Sequence, residues 1–236
     1  MNLGIVTIAY NEANMIEGCI KTVAPYVDEH LVIVSERPYF NADKFESDNT
    51  AELAEEYGAT VIEGFWANEH EQRNVGAKYF ADKDWILWVD GDMWGCNSYW
   101  EKLLEVLPKI DRDDFGVETV VTPQWTLWKQ PTWHLDGDEF KPVIATKPHV
   151  RFSEIGCVNT PMYIHKDRIH HFVWSAPKDI YKKIMTFAHA KDMDFEKWYE
   201  DNFKNWKFGD RVVHPAHTYD LNIVEIDIPE EFKPYL

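Results

Sequence analysis

The sequence predicts an α/β protein: a mostly parallel central sheet flanked by helices, followed by a less regular second half. Three observations carry this. Short runs of β-branched and apolar residues recur through the first half. Each is followed by a stretch with apolar residues at helical spacing, the pattern of βαβ units. One run, "WILWVDGDMW" (85–94), stops abruptly at two carboxylates, Asp90 and Asp92. Parallel sheets present the carboxyl ends of their strands to ligands, so that stop falls where a site belongs.

Taken in order, "GIVTIA" (4–9) reads as a strand buried on both faces. "NEANMIEGCIKTV" (11–23) reads as a helix capped by Asn11, with Ile16, Ile20 and Val23 on one side. "HLVIVS" (30–35) is a second strand, and "TAELAEEYGA" (50–59) a helix closed by Gly58. "TVIEG" (60–64) is a third strand, "EHEQRNVGAKYFA" (69–81) a helix, and "WILWVD" (85–90) a fourth strand. A helix then runs from Asn97 or Ser98 to Leu107, with Pro108 just beyond its end. "GVETVVTPQWTL" (116–127) alternates like a longer strand. Residues 128–162, rich in Trp, Pro, His and Asp, read as functional loops. "RIHHFVWS" (168–175) alternates like a strand, which sends His170 and His171 to opposite faces. Helices are expected over 178–192, carrying His189, and over 194–206. With no repeat or linker, residues 1–236 read as one unit.

Composition narrows the classes. At 45% hydrophobic and 15% aromatic, with 11 tryptophans, the chain can build a large core and still line a site with indoles. The net charge of −17 repels a bare polyanion and suits cation binding. Three widely spaced cysteines without a Cys-x-x-Cys predict a reducing compartment rather than a disulfide framework. The N-terminus lacks a signal-peptide pattern, and no apolar run approaches the length of a membrane span. The expectation is a cytoplasmic protein with no membrane span.

The Asp90-Gly91-Asp92 turn admits two readings. Asp-Gly is a favoured hairpin turn. Alternatively, two carboxylates at i, i+2 in an extended turn reach one divalent cation. The helix signal soon after Asp92 weighs against a hairpin.

The order of motifs resembles glycosyltransferase family 2 enzymes of the GT-A fold. The resemblance rests on "AYNEANMIEGCI" after the first strand, "SDNTAELAEEYGA", "QRNVGAKYFADKDWILWVDGD", and the late "IHHFVWSAPKDIYKKI". It implies transfer of a sugar from a nucleotide-diphosphate donor, a UDP-sugar by resemblance, with inversion, assisted by Mn2+ or Mg2+ on the departing diphosphate. Residues 1–94 would form the nucleotide-binding half and 95–236 the acceptor side. Ala9, Tyr10, Asn11 and Glu12 would wrap the nucleotide, with Glu12 near the ribose or base. Where the family usually has an Asp at the end of strand two, this chain has Ser35-Glu36, so Glu36 takes that place. Arg73 and Asn74 would lie beside the nucleotide, Arg73 against phosphate. Asp92 would ligate the metal directly, and Asp90 would meet the ribose or the metal through water. His171 would be the late metal ligand. Lys182 and Lys183 would either serve the diphosphate or form a solvated helix face.

An inverting transfer needs a carboxylate base on the acceptor hydroxyl. Asp136, Asp138, Glu139 and Glu154 are the candidates, Glu139 first. Trp125, Trp128 and Trp133 would stack on a sugar or pack a core. The acceptor, whether saccharide, protein or modified nucleic-acid base, is not legible. Two rivals remain. A metal-dependent nucleotidyltransferase would show a Gly-rich phosphate loop after strand one. A non-catalytic carbohydrate-binding module would not need the ordered carboxylate motifs.

Overall fold

The computed structural model describes residues 1–39, 46–113, 116–154, 156–157, 160–175, 179–186, 194–213 and 220–236. Strand β1 (Leu3–Ala9) is buried along its whole length. Helix α1 (Ile16–Val23), β2 (Glu29–Ser35), α2 (Thr50–Glu56), β3 (Thr60–Gly64), α3 (Glu69–Tyr79) and β4 (Trp85–Asp90) follow in the expected alternation. β4, β1, β2 and β3 lie side by side in that order, all parallel. The apolar runs of β1, β2 and β4 fit burial on both faces, whereas β3, at the sheet edge, is partly exposed. Ile5 and Leu87 pack with α1 residues on one face, and Val6, Ile8 and Trp88 pack with Ala77 of α3 on the other.

The chain continues through β5 (Met93–Trp94), α4 (Asn97–Arg112), β6 (Thr119–Val121), β7 (Gln124–Asp136) and β8 (Val143–Thr146). Next come β9 (Phe152–Ser153), β10 (Gly156–Cys157), β11 (Met162–Ile164), β12 (Ile169–Ser175), α5 (Ile180–Thr186) and α6 (Phe195–Trp198). β13 (Val212–Val213) and β14 (Asp220–Glu225) complete the strands. The first sheet has seven strands in the order β11-β6-β8-β4-β1-β2-β3, with β8 antiparallel to its neighbours. A second, five-stranded sheet runs β13-β14-β7-β12-β5. This is the mixed, mostly parallel α/β architecture that the sequence predicts.

Several boundaries differ from the expectation. α1 starts at Ile16, not near Asn11. Asn11 instead adopts a left-handed backbone (φ 53°), which Asn tolerates better than most residues. Pro108 lies inside α4 rather than beyond it. An interior proline costs about 3 kcal/mol. Burial of Leu107 and Ile110 in the core, worth about 2 kcal/mol each, offsets that and carries the helix on to Arg112. The single strand expected over 116–127 is two strands in different sheets, because Pro123 between them has no N–H to offer a ladder. Much of 128–162 is strand rather than loop: β7 runs to Asp136, and Ile144 and Ala145 of β8 are fully buried. Over 194–206, α6 passes into a π-helical stretch, Tyr199–Lys204, and Phe203 packs its ring 4.9 Å from that of Trp128. The end of the helix expected over 178–192, with His189, lies outside the described residues. No helix among the described residues is long and apolar enough to cross a membrane.

His30 shows how the packing of β1 on β2 sets a charge. Its Nε2 shares a 2.7 Å hydrogen bond with the fully buried Thr7 hydroxyl, and its Nδ1 is sealed from solvent without a partner. Burial pulls its pKa down to about 3. The unfolded chain therefore takes up this proton first. The stability from neutral His30 is complete above about pH 6.5 and is lost as pH falls toward 3. The expected outcome is that His30→Gln loses about 2 kcal/mol less stability than the parent between pH 7 and pH 5, measured by urea denaturation. Parallel losses would mean that His30 titrates normally in the fold.

Candidate active site

The site forms where the two sheets meet. β1 and β4 run side by side with Ile8 opposite Asp90, so the loops after both strands leave from one edge. The Gly91 amide donates to the Ile8 carbonyl at 3.0 Å. The chain does not turn back as a hairpin. Met93 and Trp94 pair antiparallel with β12, with Met93 opposite His171, and the Phe172 amide donates to the Asp92 carbonyl at 2.8 Å. Gly91 permits the crowding: a Cβ there would lie 2.9 Å from Glu12 Cγ and 3.3 Å from Ala9 Cβ.

Around that junction the charged groups interlock. Asp92 is buried at 1% exposure. Its Oδ1 is 3.4 Å from His171 Nε2, and its Oδ2 is 3.1 Å from Lys183 Nζ. Lys183, on α5, also reaches Oε1 of the buried Glu12 at 2.7 Å. Arg73, on α3, donates to Asp90 at 2.5 Å and to Glu69 at 2.8 Å. Burial alone would lower the pKa of Lys183, but the Asp92 and Glu12 carboxylates outweigh it and hold the ammonium charged well above its ordinary range. Arg73 is held up in the same way by Asp90 and Glu69. Burial raises the pKa of Asp90, and Arg73 opposes the rise.

One ligand atom each from Asp90, Asp92 and His171 lie within 4.8 Å of one another. Two carboxylate oxygens and an imidazole nitrogen suit a hard divalent ion of the Mn2+ or Mg2+ type. The short Asp92–His171 separation fits two ligands of one such ion.

The loop after β1 is latched from the other side. The Asn11 side-chain oxygen accepts from the Asp48 amide at 2.8 Å, and Ala13 and Glu12 donate their amides to Asp48 Oδ2 and Thr50 Oγ1 at 3.1 and 2.8 Å. A cavity of about 210 Å³ opens there, lined by Tyr10, Asn11, Glu12, Asp48, Lys182 and Lys183 among others.

The other expected residues are placed as follows. Ala9 is buried at the end of β1. Glu36 is exposed just past β2, its amide donating to the Gly64 carbonyl. Asn74 engages the backbone of Phe152 through both amide atoms, each at 2.9 Å. His170 faces away from His171 and packs on Phe232, and burial lowers its pKa to about 4. Asp138 is buried and accepts from the Thr126 hydroxyl, from Gln124 and from the Phe140 amide. Thr126 is the register partner of His171 on the adjoining strand, so both occupy one sheet face. Glu139, Asp136 and Glu154 are exposed. The tryptophans read as stacking on a sugar or packing a core differ in burial, with Trp128 in the core and Trp125 and Trp133 partly exposed. Trp128 is fully buried, Trp133 packs on Trp206, and the Trp125 ring is covered by the Arg168 guanidinium at 4.6 Å.

Two features went beyond the sequence expectations. One is the Glu12–Lys183–Asp92 bridge, which no local pattern encodes because its ends lie 171 positions apart. The other is the Asp48–Thr50 latch. Its only signal is "SDNT" ahead of a helix, where Asp48 accepts from the Thr50 amide.

The family model described as "Glycosyl transferase family 2" matches residues 4–172. Among solved structures, the chain is similar to the mannosyltransferase PcManGT from Pyrobaculum calidifontis, solved with GDP-Man and Mn2+ (13% identity, TM-score 0.51, covering 99% of this chain and 67% of that one). It is also similar to S. aureus TarS 1–349 in complex with UDP-GlcNAc (14%, TM-score 0.48, 84% and 69%). Against S. aureus TarS it matches at 17% identity with a TM-score of 0.46, covering 78% of this chain. The chain spans only 38% of the length of that TarS chain.

The close approach at Gly91 is testable. Gly91→Ala should displace Glu12, weaken its bond to Lys183 and cost about 1–3 kcal/mol in urea denaturation. A parent-like midpoint would show that the loop yields freely.

Proposed function

The chain belongs to glycosyl transferase family 2, and from that premise we propose that it transfers a sugar from a nucleotide-diphosphate donor to an acceptor hydroxyl, with inversion. The observation that carries the proposal is the convergence of Asp90, Asp92 and His171 beside Lys183 and Arg73, at the carboxyl ends of β1 and β4. Two cationic side chains and a set of hard-cation ligands in one partly enclosed cluster suit a diphosphate. The whole chain reads as one GT-A domain, with residues 1–94 holding the nucleotide and 95–236 presenting the acceptor.

UDP is the donor nucleotide implied by the family resemblance. GDP is the second arm, because PcManGT was solved with GDP-Man. Tyr10, Asn11 and Glu12, held by Asp48 and Thr50, form the wall on which the nucleoside would rest. A divalent ion bound by Asp90, Asp92 and His171 would neutralise charge on the departing diphosphate. The acceptor oxygen attacks the anomeric carbon. The bond to the phosphate oxygen breaks with its electron pair leaving on the diphosphate. The acceptor proton passes to a carboxylate.

Asp138 is the base the geometry favours over Glu139. Its strand-end loop is tied to Thr126, on the face that carries His171, whereas Glu139 points into solvent. Cavity and charge leave the acceptor class open among saccharide, protein and modified nucleic-acid base.

Two experiments test this reading. Asp92→Asn and His171→Ala should each weaken UDP or GDP binding in the presence of Mn2+ by roughly tenfold or more, read by calorimetry. His170→Ala should leave that affinity near the parent value and lower stability instead. Equal donor affinity in the two histidine variants removes His171 from the site. For the base, Asp138→Asn should abolish transfer while nucleotide affinity persists, and Glu139→Gln should transfer at near-parent rates. The reverse result returns the role to Glu139.

A further inference from the structure

Each carboxylate offered to a cation already has a side-chain cation on it. Asp90 carries Arg73 at 2.5 Å, and Asp92 carries Lys183 at 3.1 Å. The two pairs differ in kind. Arg73 sits on α3 and is fixed by Glu69 from outside. Lys183 reaches in from α5 with its side chain 22% exposed, bridges the buried Glu12 and Asp92, and lies on the wall of the cavity. Its stem is flexible and its ammonium is a compact point charge, so it can change partners without moving the helix.

We propose that Lys183 is a built-in counter-cation of the empty site. It neutralises Glu12 and Asp92 when no donor is present and disfavours binding of a divalent ion alone. It then hands over to the diphosphate when nucleotide and metal arrive together. The reasoning is electrostatic. An ammonium beside Asp92 Oδ2 repels a dication drawn to Oδ1 of the same carboxylate, in surroundings that screen poorly. A diphosphate adds negative charge next to the ammonium and relieves that repulsion. Metal and nucleotide then favour one another, and Lys183 is the side chain through which they do so. The Asp92 backbone remains held throughout, through its carbonyl by the Phe172 amide. This inference rests on the donor reading above for the handover, but not for the repulsion.

The test uses the full chain and two readouts. Mn2+ alone is titrated without nucleotide, by calorimetry or by the loss of its free spin-resonance signal. UDP and GDP are then titrated with Mn2+ saturating. In Lys183→Met, Mn2+ alone should bind roughly tenfold more tightly than to the parent, while nucleotide affinity with Mn2+ should fall by roughly tenfold. A lysine that merely braces the fold would weaken both when lost. Lys183→Arg should keep the parent pattern in both readouts. If Lys183→Met does not fold, Lys183→Gln, which keeps a donor for Glu12 without the charge, takes its place. Mn2+ affinity that stays equal or falls in the neutral variant overturns the counter-cation role. Tighter Mn2+ with unchanged nucleotide affinity overturns the handover. If the parent binds neither UDP nor GDP while Mn2+ still tightens in the variant, the repulsion stands and the donor reading falls.

Discussion

The rest of the structure depends on how the backbone of residues 90–94 is shared between two sheets. Asp90 ends a strand locked in parallel to β1, and three residues later Met93 is already in register with His171 in the other sheet. Between them the Gly91 amide is bonded to one sheet, through Ile8, and the Asp92 carbonyl to the other, through Phe172. A carboxylate on a segment pinned from both sides has little freedom. Asp92 is buried there beside partners delivered by the same pinning: His171 by β12, and Lys183 by the helix that follows it. Removing one such partner from a buried carboxylate is costly, which ties the site's electrostatics to the integrity of the joint.

The first half of the fold was legible because its signals are local. Strands buried on both faces write themselves as apolar runs, as "GIVTIA", "HLVIVS" and "WILWVD" do, and these and the partly exposed "TVIEG" all lie within strands at or near their expected bounds. The opposite facing of His170 and His171 followed from strand alternation alone. What failed was local inference where a tertiary contact decides. Pro108 looks like a stop, yet α4 runs through it because its face stays buried. Asn11 looks like a cap, yet its side chain serves residue 48. The polar, aromatic look of 128–162 suggested loops. The tryptophans there belong to a second core instead, where Trp128, Trp198 and Trp206 meet edge to face. The Lys182–Lys183 pair reads as a solvated face in one dimension. Only the fold shows that one of the two turns inward to Glu12.

The same contrast separates the two carboxylates of the turn. Asp90 meets a guanidinium four residues along α3 from Glu69, so its pairing is part of a helix surface that happens to face the sheet edge. Asp92 meets groups from the far end of the chain. Sequence reading ranked Asp92 as the direct ligand by family likeness. In the structure Asp92 is the more deeply enclosed of the two and has one oxygen beside an imidazole.

A split of the chain into residues 1–94 and 95–236 suggests two exchangeable pieces. The pairing of β5 with β12 argues against that here. Met93 and Trp94 belong to the first piece by sequence and to the second by hydrogen bonding, and the Trp94 ring packs against Phe172 and Phe232 from near the end of the chain. A chimera cut after residue 94 would separate a two-residue strand from its partner β12 and expose an indole that is now fully buried. Any recombination of this scaffold has to carry Ile169–Ser175 along with the first half, so that strand goes with residues 1–94 by its pairing and with residues 95–236 by sequence.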